Sequence, residues 1–266
     1  MLYFNQLTKF QDTFSILNPL GQFEIRDLLI MDLPIINNIH ISITNMVFYL
    51  SISLVIIITI HTMTNKYMNV IYKNWKLAVE CINDTVYSIV VNQINKYAGQ
   101  IYFPFIYALF IFILINNLMG MIPYSFSTTS HFLLTFALSF TVVIGATLLG
   151  FKEHNLKFFS LFVPAGCPLA LLPVLVLIEF ISYLTRNISL GLRLAANIFA
   201  GHMLLNILSG FTFNIMNSGI LYFFVGLLPL SFIIAFSSLE LAIAFIQAQV
   251  FVVLTCTYIK DSLELH

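Results

Sequence analysis

LALLPVLVLIEFISYLTRNISLGLRLAANIFAGHMLLNIL, Leu169 to Leu208, is an apolar stretch in which a few polar side chains recur at helical intervals. Between Lys157 and Lys260 the charged side chains are Glu179, Arg186, Arg193 and Glu240, and the one histidine is His202. A charge at bilayer depth costs about 3 kcal/mol or more, so it marks an ion or substrate path. At about 100° per residue, positions seven apart lie within roughly 20° of each other on a helix. Glu179, Arg186 and Arg193 therefore share one stripe, with Ser182, Ser189 and Asn197 beside it. His202, nine residues after Arg193, falls on the opposite side and faces a different neighbour.

Working outward, this stretch is too long for a simple span. Forty residues make a helix of about 60 Å against ~30 Å of hydrocarbon, and Gly219 to Lys260 poses the same problem. Ordinary tilt does not absorb the excess. Both helices must lie steeply oblique or break, and Pro229 offers a kink. Residues 209–218, SGFTFNIMNS, read as the turn between them.

The rest of the chain agrees with a membrane setting. Hydrophobic residues make up 60% and charged residues 8% of the 266, with a mean hydropathy of +0.97. Such a composition cannot cover a water-facing surface, and a net charge of zero argues against nucleic acid as a partner. Cys81, Cys167 and Cys256 form no CxxC, so they indicate neither a disulfide framework nor a metal site, and read as free thiols. The first 20 residues have neither a transit-peptide nor a secretory-signal composition.

The chain reads as one all-α integral membrane domain in three parts. Residues 1–35 are mixed, with Pro19, Gly21 and a charged FEIRD, and read as a surface segment. Residues 36–157 hold three upright spans: Ile41 to Ile60, Ile101 to Ile122 closed by Pro123, and His131 to Gly150 followed by a polar FKEHNLK. Between the first two, residues 66–96 alternate Trp75, Leu77, Val79, Ile82, Val86, Ile89 and Val90 with Lys73, Lys76, Glu80, Asp84 and Lys96. That suits an amphipathic helix on the membrane face, the alternative being a soluble connecting helix. Residues 158–266 form the long, strongly tilted two-helix hairpin. Lys66 to Lys96, Lys152 with Lys157, and Lys260 fall on one side of the membrane, the side that the lysine bias makes internal.

SLGLRLAANIFAGH, Ser189 to His202, resembles the signature of subunit a of the rotary F-type ATP synthase, the proton-channel subunit, in its mitochondrial form. LELAIAFIQAQVFVVLT (Leu239 to Thr255), NNLMGMIPYSF (Asn116 to Phe126) and FFSLFVPAGCPLALLP (Phe158 to Pro173) resemble it too. The resemblance runs over roughly residues 20–266. It implies a multi-pass protein of the mitochondrial inner membrane, with its N-terminus toward the intermembrane space and its C-terminus toward the matrix. Its partners would be the c-ring, the peripheral-stalk subunit b, other membrane stator subunits, lipids and protons. No cofactor or metal is implied. No G-x-x-x-x-G-K-[ST] loop is present, so nucleotide chemistry belongs elsewhere in such a complex.

The resemblance also implies roles. Arg193 is the fixed cation facing the rotor, able to attract a deprotonated carboxylate yet unable to release its own proton. Taken without the family, it suits pairing with Glu240 or with backbone carbonyls. His202 and Glu240, with Asn197, Gln247 and Asn117, belong to the half-channel that takes protons in. Bacterial relatives carry an acid and an imidazole swapped between the first two positions, so the pair keeps one of each. A buried ion pair bracing two helices is the plainer reading of His202 and Glu240. Asn197 suits a water ligand or a packing amide equally, and Asn116 with Asn117 suit either the channel or interhelical hydrogen bonds. Glu179 and Ser189 belong to the half-channel that lets protons out. Arg186 sets the field, and a partner in another chain or a lipid headgroup suits it better than Glu179, about 10 Å along the axis. Gly191 and Gly201 allow close approach of helices or of the rotor.

Two competitors make contrary demands. A stand-alone ion transporter favours internal repeats and broken helices, and no repeat is found. A haem protein needs axial ligands in facing helices, while His40, His61, His131 and His154 all fall near span ends.

Overall fold

A computed structural model of the chain describes residues 20–33, 39–66, 74–94, 96–122, 125–163 and 171–263. Pro123, Cys167, and residues 1–19, 34–35 and 67–73, on which parts of the sequence reading rest, lie outside them. A short antiparallel hairpin, β1 (Asp27–Leu33) with β2 (Ile39–Thr44), leads into six α-helices. These are α1 (Asn45–Lys66), α2 (Asn74–Gln93), α3 (Lys96–Gly120), α4 (Phe132–His154), α5 (Leu172–Asn217) and α6 (Ile220–Leu263). All but α2 are long and apolar enough to cross a membrane. The all-α membrane architecture holds, and the hairpin is an addition to it.

Several boundaries differ from the sequence reading, three of them for a clear local reason. The first span begins at Asn45, because IHISIT alternates β-branched and polar residues and pairs as β2. α4 continues through the polar FKEH to His154, with Lys152 and His154 in its last turn, where cations suit the helix dipole. α5 runs through residues 209–217 as well. Gly210 is the one glycine there and costs only ~1 kcal/mol, and no proline interrupts the stretch. The turn shrinks to Ser218 and Gly219, whose φ of +156° side chains rarely adopt. α6 keeps Pro229 inside one helix.

The elements converge at two ends of the molecule. At one end, Val86, Val90 and Ile94 of the α2 segment are fully buried against α3 and α6, so the apolar stripe of α2 covers protein. His154 donates from Nε2 to the carbonyl of Leu263 at 2.9 Å, tying the end of α4 to the end of α6. The lysine-bearing segments therefore gather at one end. At the other end lie the β-hairpin, the start of α1, the end of α3 and the α5–α6 turn.

Between the ends, α5 and α6 run against each other along their lengths, with α3 and α4 behind them. Ile106, Phe110 and Ile113 of α3 meet Val142 and Ala146 of α4, Leu190 and Leu194 of α5, and Ala248, Phe251 and Val252 of α6. In lipid such contacts hold helices by close packing rather than by expelling water. At Gly191 a methyl group would come within 2.9 Å of Ser139 Oγ and 3.2 Å of the Thr135 carbonyl, so α4 and α5 cross too closely for any side chain. Gly191 thus serves helix contact.

Candidate functional site

α5 presents two different faces. Asn187, Leu190, Gly191, Leu194, Ala195 and Ile198 are buried against the bundle. On the reverse, Glu179, Arg186, Arg193 and Asn197 are exposed, and Ser182 and Ser189 are half-buried between them. The seven-residue spacing read from sequence is thus an outward polar stripe. Arg193 lines a shallow outer groove with Thr185, Ser189 and Ala196. Among the described residues it makes no hydrogen bond or ion pair, so neither Glu240 nor a backbone carbonyl is its partner.

His202 lies on the other side, as its nine-residue offset requires. Its Nε2 is 3.7 Å from Oε1 of Glu240, with the two side chains 16% and 5% exposed. That separation is too long for a direct hydrogen bond. Neither the imidazole Nε2 nor either carboxylate oxygen has a protein hydrogen-bond partner among the described residues. A structural brace would satisfy these atoms, since orphaned buried polar groups cost about 1–3 kcal/mol each.

The pair closes the inner end of a cavity of about 800 Å³. Tyr49 of α1, Ser125, Asn206 and Ser209 of α5, and Ser237 of α6 line it, and residues 21–26 contribute to its wall. The hydroxyls and amide make it wettable, and it belongs to the end opposite α2. Gly201 makes room for the acid: a methyl group there would lie 2.7 Å from Glu240 Oε1 and 2.9 Å from its Cδ. Gly201→Ala is expected to push the carboxylate away from His202 and to cost about 1–3 kcal/mol, a loss readable by thermal unfolding of the purified protein. Unchanged stability, with the 3.7 Å separation retained in a structure of the variant, would contradict this account.

The structure divides the remaining residues read from sequence. Asn117 is buried beside the pair, donating from Nδ2 to the carbonyl of Ala244, one turn beyond Glu240, at 3.3 Å. Its Oδ1 has no partner among the described residues. Asn116 is committed elsewhere, donating to the Phe112 carbonyl at 2.8 Å and accepting from Thr128 at 3.1 Å. Gln247 is buried on α6, with no hydrogen bond to Arg193. Asn197, grouped with His202 in the sequence reading, shares the exposed face of Arg193 instead.

At the α2 end, a cleft of about 180 Å³ gathers Glu179, Tyr183, Arg186 and Asp261. Arg186 reaches Asp261 at 3.7 Å, a partner within its own chain that the sequence reading did not name. Tyr183 meets Tyr258 edge-on at 6.2 Å, and the buried Tyr258 hydroxyl lacks a partner among the described residues. Asp261 and both tyrosines were missed in the sequence. Ser189 lies outside this cleft, in the outer grooves shared with Arg186 and with Arg193.

Comparison with known proteins bears on the whole chain. A family model of the ATP synthase A chain matches residues 46–260. The chain is 68% identical over 253 residues to ATP synthase subunit a of Emericella nidulans, covering 94% of this chain and 98% of the relative. It is 68% identical to the protein of the same name from Podospora anserina, covering 94% of each. That of Eremothecium gossypii is 47% identical over 249 residues, 94% of this chain and 95% of the relative.

Proposed function

The chain belongs to the ATP synthase A chain family, and from that premise we propose that it is the proton-translocating stator subunit of an F-type synthase in the mitochondrial inner membrane. The observation that carries the reading is the division of α5. Among the described residues, an arginine without a partner stands on its outer face, and an unsatisfied acid–imidazole pair lines a polar cavity on its inner face.

Protons arrive from the intermembrane space through the cavity at the hairpin end and reach His202 and Glu240. An imidazole passes a proton through its two nitrogens, and a carboxyl group 3.7 Å away exchanges it. Asn117 and Gln247 extend the buried polar path beyond the pair. The proton is then loaded onto a carboxylate of the c-ring, which passes the outer stripe of α5. Arg193 attracts each deprotonated carboxylate and, never giving up its own proton, prevents a direct leak between the two sides. Protons leave to the matrix by way of Glu179, Ser189 and the Asp261–Arg186 cleft, where Arg186 sets the local field. A chain working alone would leave the Arg193 charge facing lipid, at a cost of about 3 kcal/mol or more. The peripheral stalk would hold the remaining surface.

A density map of the assembled complex tests the arrangement. α5, at 46 residues, is about 69 Å long and unbroken, against ~30 Å of hydrocarbon. Both long helices are expected to lie strongly inclined, with the stripe from Glu179 to Asn197 against the ring. Upright helices with long soluble extensions, or a stripe turned away from the ring, would overturn it.

A further inference from the structure

The segment before the β-hairpin does more than cross the surface. Gly21, Gln22, Glu24 and Arg26 help to line the cavity that leads to His202. The Phe23 ring sits 4.7 Å from that of Phe199 and meets the His202 ring edge-on, with centroids 6.4 Å apart. The segment is fastened by one residue at the start of α1. Asn45 donates from Nδ2 to the Glu24 carbonyl at 3.1 Å and from its backbone to the Arg26 carbonyl at 3.0 Å, and its Oδ1 accepts from the Arg26 amide at 3.3 Å. An exposed Glu24–Arg26 pair at 3.3 Å lies on the same segment.

We propose that Phe23 is a positioning residue, held by the Asn45 clamp, that fixes the His202 ring toward Glu240 and anchors the segment walling the watery approach to it. The inference rests on the cavity being the path by which protons reach the pair. His202 carries no hydrogen bond at Nε2, so contacts of its ring must orient it. Phe23 supplies one such contact from outside the helical bundle. Its ring also anchors the segment whose Gly21, Gln22, Glu24 and Arg26 wall the cavity, so losing the ring loosens that wall.

The test uses the assembled complex in oriented membranes, with Asn206→Cys as a reporter inside the cavity and a membrane-impermeant thiol reagent added from the cavity side. Labelling is read over the background of the unaltered complex. Phe23→Ala is expected to speed labelling and to lower proton flux per assembled complex. Each change should be about fivefold, the factor that ~1 kcal/mol of aromatic contact provides. Phe23→Tyr, which keeps the ring, should restore both values. Asn45→Leu, which cuts the clamp and leaves Phe23 in place, should reproduce the alanine result in a chain whose core is untouched. Labelling and flux in both Phe23→Ala and Asn45→Leu that equal those of the complex carrying the reporter alone would overturn the proposal. Labelling of the reporter in the otherwise unaltered complex separates the two readings. If a bulky adduct there leaves flux unchanged, the cavity is not the path and the underlying reading fails. If it blocks flux while the Phe23 and Asn45 variants behave normally, only the role of Phe23 fails.

Discussion

Arg193→Ala is expected to lower proton-driven ATP synthesis to about 1% of normal or below, the 10²–10³-fold range typical of losing one fixed charge-stabilising group. Assembly should remain largely intact. Arg193 is exposed on α5, and among the described residues it holds no hydrogen bond or ion pair, so its removal breaks no contact of the fold. The packing face of Leu190, Leu194 and Ala195 is left as it was, and exposed substitutions away from such features usually fall within ~0.5 kcal/mol. Arg193→Lys should not rescue, because an ammonium in an apolar setting can lose its proton and become a relay, whereas a guanidinium cannot. Synthesis and passive proton leak in vesicles, both normalised to assembled complex, measure the effect. Normal synthesis by the lysine variant would remove the block-and-attract role.

The second large effect concerns the buried pair. His202→Glu or Glu240→His alone should lower proton flux per assembled complex by about 10²-fold, the scale of losing a positioned proton-transfer group. Made together, the two changes should restore a substantial part of it. Each single change leaves two like groups within the 3.7 Å separation. They then titrate as one coupled pair and no longer exchange a proton between unlike partners. A purely structural pair also favours the double change, so assembly must be measured separately. As a relay, the single variants assemble, conduct slowly and show a displaced dependence on pH at the cavity side. Single variants that assemble poorly yet conduct normally per complex would reduce the pair to a brace.

Periodicity made part of this site legible before any coordinates. The outer stripe and the opposed His202 follow from counting residues around a helix, and both hold because α5 is one unbroken helix. What periodicity could not supply was the register of α5 against α6. Spreading the turn over residues 209–218, instead of Ser218 and Gly219, slides the opposing positions by roughly three turns. Asp261 then falls far from Arg186, and its charge next to Lys260 reads as an ordinary helix end. Phe23 was hidden differently. It stands in a mixed stretch whose composition resembles any solvated segment, and only its contact with Phe199 and His202 distinguishes it. The alternation in IHISIT was present but was absorbed into the uncharged run that follows.

The cavity has an electrical consequence. On the proposed path, the polar recess of about 800 Å³ would carry the potential of one side inward to Glu240, and the cleft at Asp261 would do the same from the other. The membrane voltage then falls mainly across the short dry interval between them instead of over ~30 Å of hydrocarbon. A proton crossing that interval collects about 2.3 kcal/mol per 100 mV in a few steps. The local field is correspondingly steeper and has a component along the path of the passing carboxylates. In these terms α5 is an insulator as much as a scaffold. On the proposed path, its close contacts, with α4 at Gly191 and with the Glu240 side chain at Gly201, would keep the interval thin enough for voltage to act as torque and dry enough not to short.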